Sequence, residues 1–191
     1  MDIQECEIAD VKLITPIQLV DGRGSFCEIW SDRVFRSKIE NVTFVQDNQS
    51  VSRFKGTVRG LHFQFPPYAQ AKLIRVTRGS ILDIAVDVRR GSPSYARHVA
   101  VTLEAASGTQ LWVPIGFLHG FCTLEDNTEV CYKVSEYYSP EHDAGVYWKD
   151  PDLRINWTVN PEAAILSDKD QRHPRLSAWV LSEIDARRAI L

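Results

Sequence analysis

Several features that would assign this chain of 191 residues to a class of protein at once are missing from it. No apolar stretch approaches the roughly 20 residues that a membrane-spanning helix needs. Residues 1–5 include no basic segment leading into an apolar one, so we predict no signal peptide. Internal repeats, low-complexity tracts and Gly/Ser-rich linkers are also missing, which predicts a single domain over residues 1–191.

Charge and cysteine spacing exclude further classes. The net charge of −3 does not favour a polyanion, so we expect no binding to nucleic acid. The four cysteines show no CxxC spacing, which argues against a metal or redox motif. A hairpin disulfide between Cys122 and Cys131 is conceivable, but four free thiols in a reducing compartment are the simpler interpretation. We therefore expect a cytoplasmic protein that has no membrane partner.

What the chain does contain is a series of short strands separated by turn residues. Hydrophobic residues make up 44% and charged residues 25% of the sequence, as in ordinary globular domains. Strands are predicted at 72–77, 80–88, 97–103, 110–113, 120–124 and 128–134. Helices are expected only at the flanks, over 31–38 behind the N-cap residue Ser31 and around Trp179, Leu181, Ile184 and Ile190. This pattern indicates an all-β sandwich or barrel.

Two spacings match the motifs of cupin barrels, but without a complete set of metal ligands. The second motif is intact as Gly108-x5-Pro114-x-Gly116-x2-His119. In the first motif, His62 is kept, whereas Gln64 replaces a histidine and Lys72 replaces a glutamate. A divalent metal in such a site is coordinated by about three imidazoles and a carboxylate, whereas an ammonium group repels the metal. We therefore predict no metal and an acid–base centre in its place.

Longer segments then make the chain resemble the dTDP-4-dehydrorhamnose 3,5-epimerase family. The segments that carry the resemblance are 59–64 (RGLHFQ), 70–76, 79–89, 92–93, 110–121 (QLWVPIGFLHGF), 132–133, 137–138 and 167–170 (SDKD). They span most of the chain from about residue 15 to 170. The resemblance implies a cupin-type double-stranded β-helix, or jelly roll, with short flanking helices. It further implies an enzyme without cofactors, usually a homodimer, that inverts C3 and C5 of dTDP-4-dehydro-6-deoxy-D-glucose on the way to dTDP-L-rhamnose.

The chemistry of that reaction suggests roles for four residues. Protons on C3 and C5 are weakly acidic because both carbons flank the 4-keto group, so inversion needs a base, a cation near O4 and an acid across the ring. The resemblance implies that His62 is the base, that Asp170 orients it and that Tyr132 is the acid. Lys72 is placed to stabilise O4 in the enolate. The alternatives are a structural histidine, a surface lysine and a core tyrosine.

Further residues are implied as contacts for the substrate. Arg23 and Arg59 match phosphate contacts, His119 matches a hydrogen bond to O4 or the sugar, and Phe26 and Tyr138 are candidates to stack on thymine. The remaining implied binding positions are Glu28, Gln46, Asp47, Asn48, Asp143 and Lys169. In the family the segment with Arg23 and Glu28 crosses to the other subunit's site. Asp143 stands where the family usually has Glu, and its reach is about one methylene shorter, which puts that contact in question.

Other functions stay open at the level of the sequence. The nearest competitor is a monofunctional 3- or 5-epimerase of another dTDP-4-keto-deoxysugar, which uses the same chemistry at one carbon. A ketoisomerase on the same barrel, a metal-dependent oxygenase and a non-catalytic sugar-binding cupin are the further alternatives. The sequence does not distinguish thymidine from uridine as the nucleoside.

Overall fold

Two β-sheets and a hairpin make up most of the computed structural model, which describes residues 1–178. In this range the strands are β1 (Asp2–Glu5), β2 (Lys12–Thr15), β3 (Leu19–Asp21), β4 (Gly24–Phe26), β5 (Gln46–Ser52), β6 (Val58–Gln64), β7 (Lys72–Arg78), β8 (Ser80–Asp87), β9 (His98–Glu104), β10 (Gln110–Val113), β11 (Phe117–Thr123), β12 (Thr128–Val134) and β13 (Asp143–Gly145). The helices are α1 (Asp32–Lys38) and α2 (Asp168–Gln171), and 176–178 are also helical.

The strand order is that of a jelly-roll barrel. One sheet has the order β1-β2-β10-β7-β12-β5 and the other β13-β6-β11-β8-β9, and all the strand pairs within them are antiparallel. β3 and β4 form a separate two-stranded hairpin. Strands that are neighbours in one sheet are often distant in sequence, because the chain passes from one sheet to the other between many of the strands. The predicted all-β, cupin-type fold is confirmed.

Strand β8 is buried on both faces, although its alternating sequence is typical of a strand with one wet face. Ile81 and Ala85 pack between the sheets against residues such as Leu111. Ile84 and Val86 point to the opposite face, where another apolar cluster covers them. The alternation therefore separates two cores, and polar residues in this strand need buried partners.

A long segment after β13 supplies that second cover and positions α2. Trp148 and Trp157 pack on the outer face of the five-stranded sheet. Further along, Ile165 forms a parallel bridge with Thr57, just before β6. Because this bridge fixes the chain two residues before the N-cap residue Ser167, α2 is held beside β6. The site depends on this placement.

Most of the predicted elements lie where the sequence placed them. The strands predicted at 110–113 and 128–134 have those bounds, and α1 begins after Ser31 as predicted, although the Ser31 side chain makes no capping hydrogen bond. β11 starts three residues earlier than predicted, at Phe117. The C-terminal helix predicted around Trp179, Leu181, Ile184 and Ile190 lies outside the described residues. No disulfide joins the cysteines, and within residues 1–178 no helix has both the length and the apolar character to cross a membrane.

Candidate active site

A cavity of about 430 Å³ lies between the two sheets and brings the predicted catalytic residues together. β6 and β11 supply its histidines from one sheet, and β7 and β12 supply a lysine and a tyrosine from the other. The predicted residues that line it are Arg59, His62, Lys72, His119, Tyr132, Lys169 and Asp170.

β6 approaches β11 closely enough to place His62 opposite His119 in the strand register. This approach requires glycine at position 60, because a Cβ there would lie 2.6 Å from the carbonyl oxygen of His119. The φ angle of Gly60 is +108°, which residues with side chains rarely adopt. One glycine thus allows two imidazoles from adjacent strands to serve the same cavity.

His62 and Asp170 form a short hydrogen bond of 2.6 Å between Nε2 and Oδ1. Asp170 is fixed by α2, where its backbone N–H donates to the Oγ of Ser167 at 3.1 Å. An ionised carboxylate only accepts hydrogen bonds, so the Nε2 of His62 carries hydrogen. Nδ1 is consequently the ring nitrogen of His62 that can accept a proton.

The surroundings favour a neutral His62 beside an ionised Asp170. Burial lowers the pKa of His62, Asp170 opposes that shift, and the charges of Lys72 and Lys169 add to it. Burial alone would raise the pKa of Asp170, but contacts with His173, His62 and Ser167 hold it well below its usual range. A neutral imidazole oriented by a carboxylate is the form that a general base requires.

Lys72 reaches the cavity from the first residue of β7. Burial lowers its pKa to about 8, while the nearby carboxylates of Asp143 and Asp83 act in the opposite direction. At neutral pH the ammonium form therefore still dominates. A poorly solvated ammonium of this kind gains much from an anion that develops next to it.

Tyr132 lies on β12 between two buried valines, as alternation predicted, yet its ring also lines the cavity. Burial raises the pKa of Tyr132, and the charge of Arg59 partly offsets that rise. The phenol thus keeps its proton across the neutral range. Arg59 itself donates to the Oγ of Ser52 at 3.2 Å and to the carbonyl of Val51 at 3.3 Å.

A second histidine–aspartate pair stands next to the first. The Nε2 of His119 lies 2.6 Å from the Oδ1 of Asp83, a residue of β8 that is fully buried. The Oδ2 of Asp83 has no hydrogen-bond partner among the described residues. Asp83 was not predicted as a site residue, although an acidic side chain in the middle of the apolar run of β8 is a signal for a buried polar partner.

Beyond Lys72 the cavity continues into a recess that Gln46, Asn48, Tyr138 and Asp143 help to line. Asp143 accepts a hydrogen bond from the Oη of Tyr138 at 2.8 Å and forms an ion pair with Lys169. The shorter side chain at position 143 therefore still reaches two partners, both through its Oδ2. These residues form a polar, half-open extension of the catalytic cavity.

Four predicted binding residues lie outside the cavity. Arg23 and Phe26 belong to the β3–β4 hairpin, where their exposed fractions are 91% for the Arg23 side chain and 70% for Phe26. Asp47 points away from Gln46 and Asn48 because side chains alternate along β5, and it pairs with Lys133 at 2.8 Å. Glu28 lines a separate surface pocket together with Asp47.

The vestigial cupin positions are occupied by groups with other partners. Both ends of the Gln64 amide are engaged, with the N–H donating to the carbonyl of Tyr137 at 2.9 Å and the oxygen accepting from the Ser139 N–H at 3.0 Å. Among the described residues one possible set of metal ligands is found, His62, Asp170 and His173. The 2.6 Å hydrogen bond between the first two and the positive charges beside them oppose a cation there.

The fold and the cavity together define a class of protein. It is a cupin-type barrel whose metal position has become an acid–base centre, with a paired imidazole, a buried ammonium and a protonated phenol around one space. Such a set of groups suits the removal and return of protons beside a carbonyl group, the chemistry of an isomerase.

Comparisons with known proteins agree with that class and make it specific. The family described as dTDP-4-dehydrorhamnose 3,5-epimerase matches residues 5–178. A relative of that name from Sinorhizobium fredii is 50% identical over 92% of this chain and 90% of its own. The crystal structure of an epimerase from Legionella pneumophila in complex with dTDP-4-keto-L-rhamnose has a TM-score of 0.88 at 37% identity, covering 92% of this chain and 93% of its own. A 3'-monoepimerase from Streptomyces bikiniensis, in complex with dTDP-quinovose, has a TM-score of 0.85 at 32% identity, covering 94% and 90%.

The chain belongs to the dTDP-4-dehydrorhamnose 3,5-epimerase family, and the resemblance predicted from its motifs is confirmed.

Proposed function

We propose that this protein inverts both C3 and C5 of dTDP-4-dehydro-6-deoxy-D-glucose and thereby forms dTDP-4-dehydro-L-rhamnose. The observation that carries the proposal is that His62 with Asp170, Lys72 and Tyr132 line one cavity of about 430 Å³. Membership of the family and the nucleotide-sugar complex of the Legionella relative support the choice of substrate.

Each inversion needs one proton removed and one returned on the opposite face. In the proposed mechanism, the Nδ1 of His62 takes the proton from the carbon beside the carbonyl. The electron pair of that C–H bond moves into an enolate whose charge rests on O4, where the Nζ–H of Lys72 stabilises it. The Oη–H of Tyr132 then delivers its proton to the carbon from the other side. Exchange with solvent restores His62 and Tyr132 before the second carbon reacts.

The remaining cavity residues are proposed to hold the substrate. Arg59 is a candidate contact for the diphosphate, and His119 for O4 or a sugar hydroxyl. Gln46, Asn48, Tyr138, Asp143 and Lys169 are assigned to the same role because they line the cavity or its recess. No redox cofactor enters this scheme, since the reaction only moves protons.

We further propose a homodimer in which the β3–β4 hairpin completes the partner's site. Large apolar side chains on and beside the hairpin, Ile17, Leu19, Val20 and Phe26, are between 64% and 76% exposed. A monomer rarely exposes such a cluster. Arg23 at the tip has Asp21 as its ion-pair partner, at 2.6 Å. Docked on a second subunit, Arg23, Phe26 and Glu28 would contribute to the partner's cavity.

Mixing two inactive variants tests the shared site. A heterodimer of Arg23→Ala and His62→Asn has one site with both changes and one with neither. Random mixing should therefore restore about a quarter of wild-type activity, since about half the dimers are mixed and each has one intact site. If each site used its own Arg23, no activity would return. Light scattering on the wild type supplies the oligomeric state independently.

Inversion at one carbon is the second candidate, because the Streptomyces bikiniensis 3'-monoepimerase has a closely similar fold. Incubation of the substrate with the protein in D2O, followed by trapping with a 4-keto reductase and proton NMR, separates the two. Deuterium and inverted configuration at both C3 and C5 support the double epimerase. Change at one carbon alone supports the monoepimerase, and no exchange at either contradicts both proposals. A cytoplasmic location and a single domain over residues 1–191 stay predictions from sequence.

A further inference from the structure

A second imidazole approaches the carboxylate that orients His62. The Nε2 of His173 lies 3.5 Å from the Oδ1 of Asp170, the same oxygen that accepts the hydrogen bond of His62 at 2.6 Å. The two rings meet edge to face with their centroids 5.8 Å apart. The side chain of His173 is only 9% exposed, and its Nε2 has no hydrogen-bond partner among the described residues.

The protein makes room for this ring and fixes it in place. A Cβ at Gly145 would lie 2.5 Å from the Nε2 of His173 and 2.6 Å from the carbonyl oxygen of Leu61, so the ring and the backbone both require glycine at this position of β13. Gly145 is also the residue opposite His62 in the register of β13 and β6. Directly after His173, the carbonyl of Pro174 accepts a hydrogen bond from the Tyr147 N–H at 2.8 Å. His173 is thus held beside the dyad by a built contact, not by a loose loop.

Two imidazoles on one carboxylate oxygen compete for its charge. Asp170 is ionised, so a nitrogen that faces it favourably carries hydrogen. The nearest anion to the otherwise unpartnered Nε2 of His173 is this oxygen. Each additional donor to a carboxylate reduces the stabilisation that the carboxylate gives to a neighbouring cation. Asp170 consequently stabilises a protonated His62 less than it would alone.

Resting on the proposed function, we propose that His173 is a positioning residue that shares the charge of Asp170 and so keeps His62 unprotonated at the start of each turnover. His173 acts through Asp170 and does not touch the reacting carbons. It also holds the carboxylate in the orientation that directs Nδ1 of His62 toward the substrate.

Other charged and titratable groups surround His62, and the test keeps them in place. Of these, Asp170, Lys72 and Lys169 act on its pKa. The groups on elements packed around it are Lys169 and Asp170 on α2, Lys72 on β7, Asp143 on β13, His119 on β11 with Asp83 on β8, Arg59 on β6 itself and Tyr132 on β12. Substitution at position 173 keeps the identity of all of these residues, and it acts on His62 through Asp170 and through the contact between the two rings. A shift in the titration of His62 can therefore be assigned to His173.

The experiment compares His173→Leu, which removes the donor at similar volume, with His173→Gln, whose side-chain amide keeps one. For His173→Leu, the acidic limb of the kcat profile should move about half a pH unit upward, because an undivided Asp170 favours protonated His62. At a fixed pH below that limb, the kcat of His173→Leu should be about threefold lower than that of the wild type, while the KM of the two proteins should agree within about twofold. His173→Gln should restore the wild-type limb. His98→Leu, on β9 away from the cavity, is the matched control and should leave the limb in place.

The outcomes separate this proposal from the proposed function. An unmoved limb in His173→Leu, or an equal shift in the Leu and Gln variants, would contradict a role for the donor. If His173→Leu does not fold, nitrogen-15 NMR of the wild-type histidines decides, with hydrogen on Nε2 of both rings expected and hydrogen only on Nδ1 of His173 contradicting the proposal. The protonation of His62 can also be followed against pH by this nitrogen-15 NMR, and that measurement needs no substrate. Absence of wild-type turnover would therefore reject the proposed function while leaving His173 tested.

Discussion

Two histidine–aspartate pairs stand side by side in this protein, with the same geometry and different surroundings. His62–Asp170 and His119–Asp83 each have an Nε2–Oδ1 distance of 2.6 Å, and the two histidines are opposite each other on paired strands. The side chain of His62 is 35% exposed in the cavity, whereas that of His119 is 8% exposed. Asp170 comes from a short helix at the cavity wall, and Asp83 from the middle of a buried strand.

The comparison teaches that a short hydrogen bond to a carboxylate does not by itself define a catalytic base. A base must also reach the proton that it removes. His62 meets that condition because its exposed ring faces the open space between the sheets. The almost enclosed pair of His119 and Asp83 is better suited to hold one ring nitrogen as a fixed hydrogen-bonding group. The two pairs should therefore respond differently to the same substitution.

The largest contrast is expected between Asp170→Asn and Asp83→Asn. Asp170→Asn removes the charge that stabilises protonated His62, so kcat should fall about 10²–10⁴-fold. Asp83→Asn should reduce kcat less than about tenfold, but it places an amide N–H in a site without an acceptor and should lower the free energy of unfolding by about 1–3 kcal/mol. Steady-state kinetics and urea unfolding measure the two effects. Equal losses of kcat in the two variants would remove the distinction between the pairs.

A smaller effect is expected when Lys72, which faces both pairs, loses its charge. Lys72→Met keeps most of the side-chain volume but cannot stabilise O4, so the barrier should rise by about 3–4 kcal/mol, or about 10²–10³-fold in kcat. Binding of dTDP, measured by calorimetry, should change little because the nucleotide does not carry the keto group. Lys133→Met, on the outer face of β12, is the control. Unchanged kcat in Lys72→Met would contradict the assignment.

The smallest effects are expected in the dependence of kcat on pH, whose acid limb should report His62 and whose alkaline limb should report Lys72. On the acid side, kcat should fall only below pH 6.5, because burial lowers the pKa of His62 from that value. On the alkaline side, kcat should fall as Lys72 loses its proton near its pKa of about 8, since the raised pKa of Tyr132 keeps the phenol protonated there. Lys72→Arg stays charged and should lose the alkaline limb. A limb still near pH 8 in that variant would assign it to another group.

Much of the fold could be predicted from sequence, because strands and turns are local features. β10 and β12 were placed to the residue by alternation and flanking turn residues. The strand over 80–88 was predicted, but the burial of both its faces was not, because the segment with Trp148 and Trp157 covers the second face. A cover supplied from about 65 residues further along the chain leaves no local signal in the strand.

Site residues that belong to a sequence motif could be predicted, whereas residues that matter through contacts between distant elements could not. His62 was found because it keeps a metal-ligand position of the cupin motif, and Lys72 because it replaces a ligand there. Asp170 and Tyr132 were found because they match family segments. Asp83 and His173 were missed, since their importance arises from contacts with His119 and Asp170 across distant elements. Arg23 and Phe26 are exposed in the single chain, and their predicted contacts with the substrate require the proposed partner subunit.

Solvent exchange in matched histidine variants tests the central claim most directly. His62→Asn and His119→Asn would each be incubated with dTDP-4-dehydro-6-deoxy-D-glucose in D2O, and deuterium at C3 and C5 followed by NMR. We predict that His62→Asn abolishes incorporation at both carbons, while His119→Asn incorporates deuterium at a reduced rate. Incorporation in His62→Asn together with none in His119→Asn would show that the enclosed pair provides the base and would contradict this account.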